Sequence, residues 1–263
     1  MNKMNKLKFT LSKIISSAYK GSRRNQTNIN DQRILMYHSV GDVERDLFKD
    51  IYKIDKDLFK SHMEVVKNNF DKRVKDLEKI KLSETNLESV LNITFDDGYI
   101  DNLSTVAPIM NSLNLPFTVF VATGFLNKKY KNFMNKEDLK ELSSFPNVSI
   151  GSHSVSHLNL TKLKKNEIKK ELKDSKSHLE DIIGKEITMF SYPHGGVNLQ
   201  VRDLVEDSGY KKAANSHFDT NKLVKDKFML RRNEVWSIDS INTFKDKLEG
   251  NWDWLKFRNS FNH

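Results

Sequence analysis

Four short strings in this 263-residue chain hold side chains that could do chemistry: Tyr37-His38-Ser39, Asp96-Asp97-Gly98-Tyr99, the run Gly151–His157 with His153 and His157, and Pro193-His194-Gly195-Gly196. His153 and His157 are four residues apart, so one helical turn would put both imidazoles on one side. Neutral imidazole is the commonest metal ligand. Two imidazoles and one carboxylate leave open positions for water and substrate, a set that suits catalytic zinc and other borderline divalent metals such as cobalt, nickel or manganese. Adjacent carboxylates on a short turn do not easily share one task. One can bind the cation while the other stays free as a general base. The metal acidifies its water and polarises a carbonyl. Each string alone has a bland reading: a capped turn for Asp-Asp-Gly, two surface imidazoles, a plain Pro-His-Gly-Gly loop, a satisfied buried His38. Their coincidence carries the chemistry.

All four strings end predicted strands. Arg33–Tyr37, Val90–Phe95, Phe117–Ala122, Val148–Ile150, Ile187–Tyr192, Lys211–Ala214 and Met229–Val235 read as short apolar strands. Helix-period stretches separate them. Asp55 is a candidate N-cap before the stripe Leu58, Phe59, Met63, Val66 and Phe70. Leu103–Leu113 reads as a helix, as does the region of Leu139 and Leu142. A long helix through Ile168–Ile183 stops at Gly184; further helices hold Val201–Val205 and Asp239–Leu248, the last ended by Gly250. Such alternation implies a largely parallel sheet. About seven units predict an α/β fold, a distorted or incomplete (β/α) barrel, in which the C-terminal strand ends share one rim.

Zero cysteines exclude disulfides and thiolate chemistry. The net charge of +9 is concentrated: residues 1–33 carry eight basic side chains against Asp31 alone, a net +7. The remaining body is near neutral, which argues against a nucleic-acid surface. Within this arm Leu7, Leu11, Ile14, Ile15 and Ala18 form one stripe of a helix, with Gly21 as its expected C-cap. Two readings stand side by side: a basic amphipathic helix on an anionic membrane surface, or a helix that docks on the domain or frays. Lysines interrupt the stripe, so no export signal is read. The expected division is residues 1–30 as arm and polar linker and 31–263 as catalytic domain.

The strings, in this order, resemble the NodB-type polysaccharide deacetylases, carbohydrate esterase family four. Thr94-Phe95-Asp96-Asp97-Gly98 is similar to that family's first motif, which makes Asp96 the base and Asp97 a metal ligand. His153-Ser154-Val155-Ser156-His157 is similar to the second, which makes both histidines ligands. Phe190-Ser191-Tyr192-Pro193-His194-Gly195 is similar to the third, so Tyr192, Pro193 and His194 would line the groove, with the His194 N–H facing the oxyanion. Two departures matter. No Leu-x-Ile-His string follows the third motif. Ile34-Leu35-Met36-Tyr37-His38 instead resembles the opening strand of the poly-N-acetylglucosamine deacetylase branch, which makes His38 the acid, with His217 as runner-up. The Arg that often opens the third motif is absent; Leu230-Arg231-Arg232-Asn233-Glu234-Val235 resembles a late strand of that same branch, which would give Arg232 the task of holding Asp96 ionised and oriented.

The resemblance implies a metal-dependent hydrolase that removes N-acetyl from an N-acetylhexosamine unit of a glycan or its precursor. An O-acetyl esterase, a deformylase on a lipid-linked sugar and a non-catalytic glycan binder are the alternatives. The expected location is the cytoplasm or its membrane face. His62 and His178 are expected to be solvated. Trp236, Trp252 and Trp254 read equally as a sugar-stacking surface or as packing.

Overall fold

The computed structural model describes residues 3–22, 32–42, 50–79, 89–127, 129–221 and 224–259. The linker beyond Ser22 and the terminal His263 lie outside them. Helix α1 (Lys3–Ser22) precedes β1 (Gln32–Tyr37), the small strands β2 (Ser39–Val40) and β3 (Lys53–Ile54), and α2 (Lys56–Phe70). Then come β4 (Val90–Phe95), α3 (Ala107–Ser112), β5 (Phe117–Val121), α4 (Lys136–Leu142), β6 (Val148–Ser152) and α5 (Lys165–Ile183). The chain continues through β7 (Met189–Ser191), α6 (Leu199–Asp207), β8 (Lys212–Ala214), β9 (Asn233–Glu234) and α7 (Ile241–Leu248).

Seven strands form one parallel sheet in the order β8-β7-β6-β5-β4-β1-β9, while β2 and β3 pair apart. The sheet curls as the expected incomplete barrel. Both faces are buried, as parallel strands under crossover helices require. Leu35, Tyr37, Ile93, Phe95, Val119, Val121 and Phe190 face the helices in the main core. Their alternates Ile34, Phe120 and Met189 pack inside with Ala214 and Leu230.

The sequence cues at helix ends act as read. Asp55 caps α2, its Oδ1 accepting from the N–H groups of Asp57 and Leu58. Gly184 ends α5 in the left-handed conformation, φ 67°. Gly21 does not cap α1; the helix runs on to Ser22.

The predicted strand Met229–Val235 is shorter and bent. Leu230 bridges Ala214 of β8, and only Asn233–Glu234 pairs with β1, at Leu35 and Met36. The stretch from Leu230 to Glu234 thus runs from one edge of the curled sheet to the other. His62 is not solvated: it is fully buried in α2, stacked on Phe244 with ring centroids 4.0 Å apart, its Nε2 3.1 Å from the Asp239 carbonyl. Burial lowers its pKa to about 3, so the ring is neutral and packs as an aromatic. The three tryptophans pack together with Phe218, Leu255 and Phe9 of α1 rather than opening to a groove.

Candidate active site

Strand alternation aims the site. Phe95 points outward to the helices, so Asp96 turns inward. Ser152 faces α5, its Oγ donating to Ser175 Oγ at 2.9 Å, so His153 turns inward. Phe190 packs outward and Ser191 inward, where Ser191 Oγ lies 3.2 Å from Asp96 Oδ2. Three strand ends thereby converge on one rim.

Asp96 is fully buried and gripped by Arg232 from the stretch Leu230 to Glu234. Nη1 donates to Oδ1 and Nη2 to Oδ2, each at 2.7 Å. The guanidinium is itself fixed: Nε donates to the Asn215 carbonyl at 2.9 Å and Nη2 to Ser191 Oγ at 2.8 Å. Burial pushes the Asp96 carboxyl up, but Arg232 and then His153 outweigh it and hold the group well below the ordinary carboxylate range. A planar fork matched to a carboxylate is the arrangement that can do this.

Asp97, His153 and His157 form a second cluster. One ligand atom from each lies within 4.8 Å of the others. Asp97 Oδ1 is 3.1 Å from His157 Nε2 and 3.5 Å from His153 Nε2. His153 Nδ1 sits 2.8 Å from the Ser191 carbonyl, which accepts only, so Nδ1 carries the proton and Nε2 a lone pair. Burial first, against the pull of both aspartates, brings the His153 pKa down to about 4. Asp97 Oδ1 is buried and faces the two imidazole nitrogens. The His153 Nε2 lone pair faces that carboxylate oxygen, a repulsive arrangement that a cation resolves, so the donor set fits a divalent metal.

The two histidines do not lie on a helical turn. Residues 153–157 are a loop, with left-handed backbone at Ser154 (φ 64°) and His157 (φ 54°). Tertiary bonds hold it. Glu171 of α5 accepts from the N–H groups of Val155 and Ser156, both at 2.8 Å, and from Ser156 Oγ at 2.6 Å. Such backbone conformations are costly for non-glycine residues and persist where the surroundings fix them.

A cavity of about 420 Å³ opens over both clusters. His38, Tyr192 and His194 line it along with Asp96, Asp97, His153, His157 and Arg232; Pro193 and His217 do not. His38 packs against Tyr52, ring centroids 4.8 Å apart, and its buried Nδ1 has no hydrogen-bond partner. His217 lies off the rim, its carbonyl accepting from the Arg232 N–H at 3.1 Å. Tyr192 offers its ring only, because its hydroxyl donates to the Phe228 carbonyl at 2.9 Å. His194 takes φ 57° in a tight turn, where the N–H groups of Gly195 and Gly196 bond the carbonyls of Tyr192 and Pro193. Gly195 is obligatory there: its φ is 68°, and a Cβ would sit 2.0 Å from Ser216 Oγ.

Sequence reasoning gave no role to Asp50, Tyr52, Tyr99, Ser216 and Glu234, which also line the cavity. Tyr99 follows the Asp-Asp-Gly string directly, a usable signal. Asp50 and Tyr52 belong to an unpatterned loop before β3 and carried none. Glu171 carried none either, as one of many charges on a long helix.

Residues 83–213 match the polysaccharide deacetylase family. The chain is 31% identical over 124 residues to YxkH of Bacillus subtilis strain 168, covering 47% of this chain and 43% of that protein. It is 31% identical over 167 residues to the peptidoglycan-N-acetylmuramic acid deacetylase PdaC of the same organism, covering 62% and 34%. The chain thus spans less than half the length of these curated relatives. Its fold is similar to that of the Streptococcus pyogenes deacetylase PplD in complex with acetate, with a TM-score of 0.71 at 20% identity, covering 83% of this chain and 98% of that one.

Proposed function

The chain belongs to the polysaccharide deacetylase family, and from that premise we propose that it hydrolyses the N-acetyl group of an N-acetylhexosamine unit in a glycan, with one divalent metal held by Asp97, His153 and His157. The carrying observation is a buried carboxylate oxygen facing two imidazoles, beside a second carboxylate locked by Arg232. A bound cation, zinc by ligand type, would acidify a water and polarise the acetyl carbonyl.

The chain's own residues do the rest. Asp96 Oδ2 faces the ligand set, 3.8 Å from His153 Nε2, and accepts the proton of the attacking water. Arg232 keeps that oxygen charged and aimed without blocking the cavity side. The His194 N–H donates to the oxygen that gains charge as the carbonyl is attacked; losing one such donor costs about 2.7–4 kcal/mol. His38, packed at a tilt against Tyr52 at the rim, gives a proton to the departing amine as the carbon–nitrogen bond breaks. Acetate and a free amino sugar leave. The relative PdaC, whose name specifies an N-acetylated sugar, supports the amide over the ester.

Acetate release from N- and O-acetylated oligosaccharides, measured with purified protein and zinc, cobalt, nickel or manganese, tests the reading. Release from N-acetylhexosamine oligomers is expected. Release from O-acetyl esters alone makes the protein an esterase, and a metal-loaded protein inert on the whole panel makes it a binder.

A further inference from the structure

Helix α1 has two opposite faces, and only one is occupied. Residues turn about 100° each around a helix axis. Phe9 and Ser16 therefore lie on the side away from Leu7, Leu11, Ile14 and Ala18. The inner side docks. Phe9 packs on Trp252 at 5.9 Å and edge-on to Trp236 at 6.5 Å. Buried Ser16 accepts a hydrogen bond from Trp254 Nε1 at 2.7 Å. Lys20 Nζ reaches Asp246 Oδ1 at 3.0 Å and Glu249 at 3.5 Å. These anchors fix the helix's rotation, so the apolar stripe cannot roll inward.

The stripe is left facing water. Leu7 is 69% exposed, Leu11 54%, Ile14 62% and Ile15 37%. Apart from Leu158, Leu199, Phe257 and two tyrosines, these are the exposed large apolar side chains among the described residues. A contiguous apolar strip on an otherwise polar surface marks an interaction site. No described helix is long and apolar enough to cross a membrane. Charge selects the occupant: α1 contains five lysines and no acidic residue. A second copy would bring the same lysines to the same place and be repelled. A sheet of anionic headgroups over acyl chains satisfies both the stripe and its cationic flanks.

We propose that the outward stripe of α1 inserts into the interfacial layer of an anionic lipid bilayer, with Phe9, Ser16 and Lys20 holding the catalytic domain rigidly against it. Co-sedimentation of the full chain with vesicles of phosphatidylcholine plus phosphatidylglycerol, against vesicles of phosphatidylcholine alone, tests this. The wild-type chain should bind the anionic vesicles, less tightly in high salt. The double variant Leu11→Glu/Ile14→Glu should bind at least about tenfold more weakly while keeping its melting temperature and acetate release from a soluble oligomer. Lys8→Glu, which spares both the stripe and the docked face, should also weaken anionic binding. Wild-type and Leu11→Glu/Ile14→Glu chains that bind alike, a wild-type chain that ignores both vesicles, or a dimer in light scattering that the apolar-stripe variant splits would each overturn the proposal.

Discussion

Two buried carboxylate–cation pairs in this protein behave in opposite ways. Asp96 meets Arg232 through two parallel hydrogen bonds, and its pKa falls. Asp239 meets Lys247 through one oxygen only; its Oδ1 has no partner, burial dominates, and its pKa rises while that of Lys247 falls. Both pairs are out of reach of solvent. The difference lies in the cation. A guanidinium fork satisfies both carboxylate oxygens, whereas an ammonium is a point charge that leaves one bare. Lys247 is also shared, donating to the Glu234 carbonyl at 2.8 Å. Charge at depth is kept where it is matched in shape, at Asp96 by Arg232 and at Asp253 by the Arg33 fork.

The largest expected effect breaks the first pair at its functional end. Asp96→Asn should keep bound metal, by elemental analysis, yet lower turnover by about 10²–10⁴-fold, the usual reach of a general base. Wild-type turnover in that variant would remove Asp96 from the reaction. Next, Arg232→Met leaves Asp96 buried without its partner. Chemical denaturation should show a loss of about 3–5 kcal/mol.

A third carboxylate sharpens the contrast by using backbone donors in place of a cation. Glu171→Ala removes three bonds from the 155–156 loop and should cost about 1–3 kcal/mol by the same assay. Isothermal titration should show metal affinity falling by roughly tenfold as His157 loosens. The smallest effect belongs to the second pair. Asp239→Leu/Lys247→Met should be close to neutral, since a mismatched buried pair gives little over apolar packing.

Denaturation midpoints against pH separate the two pairs by sign. The lowered Asp96 group contributes stability that is present above its ordinary value of 3.8 and is lost as pH falls below it. The raised Asp239 group does the reverse: its contribution is full below 3.8 and is lost as pH rises toward its native value. Asp96→Asn should therefore flatten the acid limb of the stability curve, and the Asp239 double variant should steepen it.

Much of this was legible in the chain. The strands whose apolar runs feed both faces of the sheet stood out, and the strings at their ends named Asp96, Asp97, His153 and His157. Arg232 also came from sequence, through resemblance rather than spacing. What was hidden depends on tertiary contact. The left-handed backbone at Ser154 and His157 exists because Glu171, on a distant helix, collects the loop's N–H groups. His62 looked polar because its helix is charged, but Phe244 arrives from far along the sequence to cover it. The stripe on α1 was visible as a stripe; which face docks was not, because Phe9 and Ser16 find their partners among residues 236–254.

The segment from Leu230 to Glu234 does two jobs at once. It stitches the first and last edges of the sheet, and it delivers Arg232 to Asp96. The carboxylate proposed as the base is therefore held ionised by a segment that touches both edges of the sheet. With this stitch undone, both histidines and both aspartates would keep their strands, but Asp96 would lose the cation that holds it ionised.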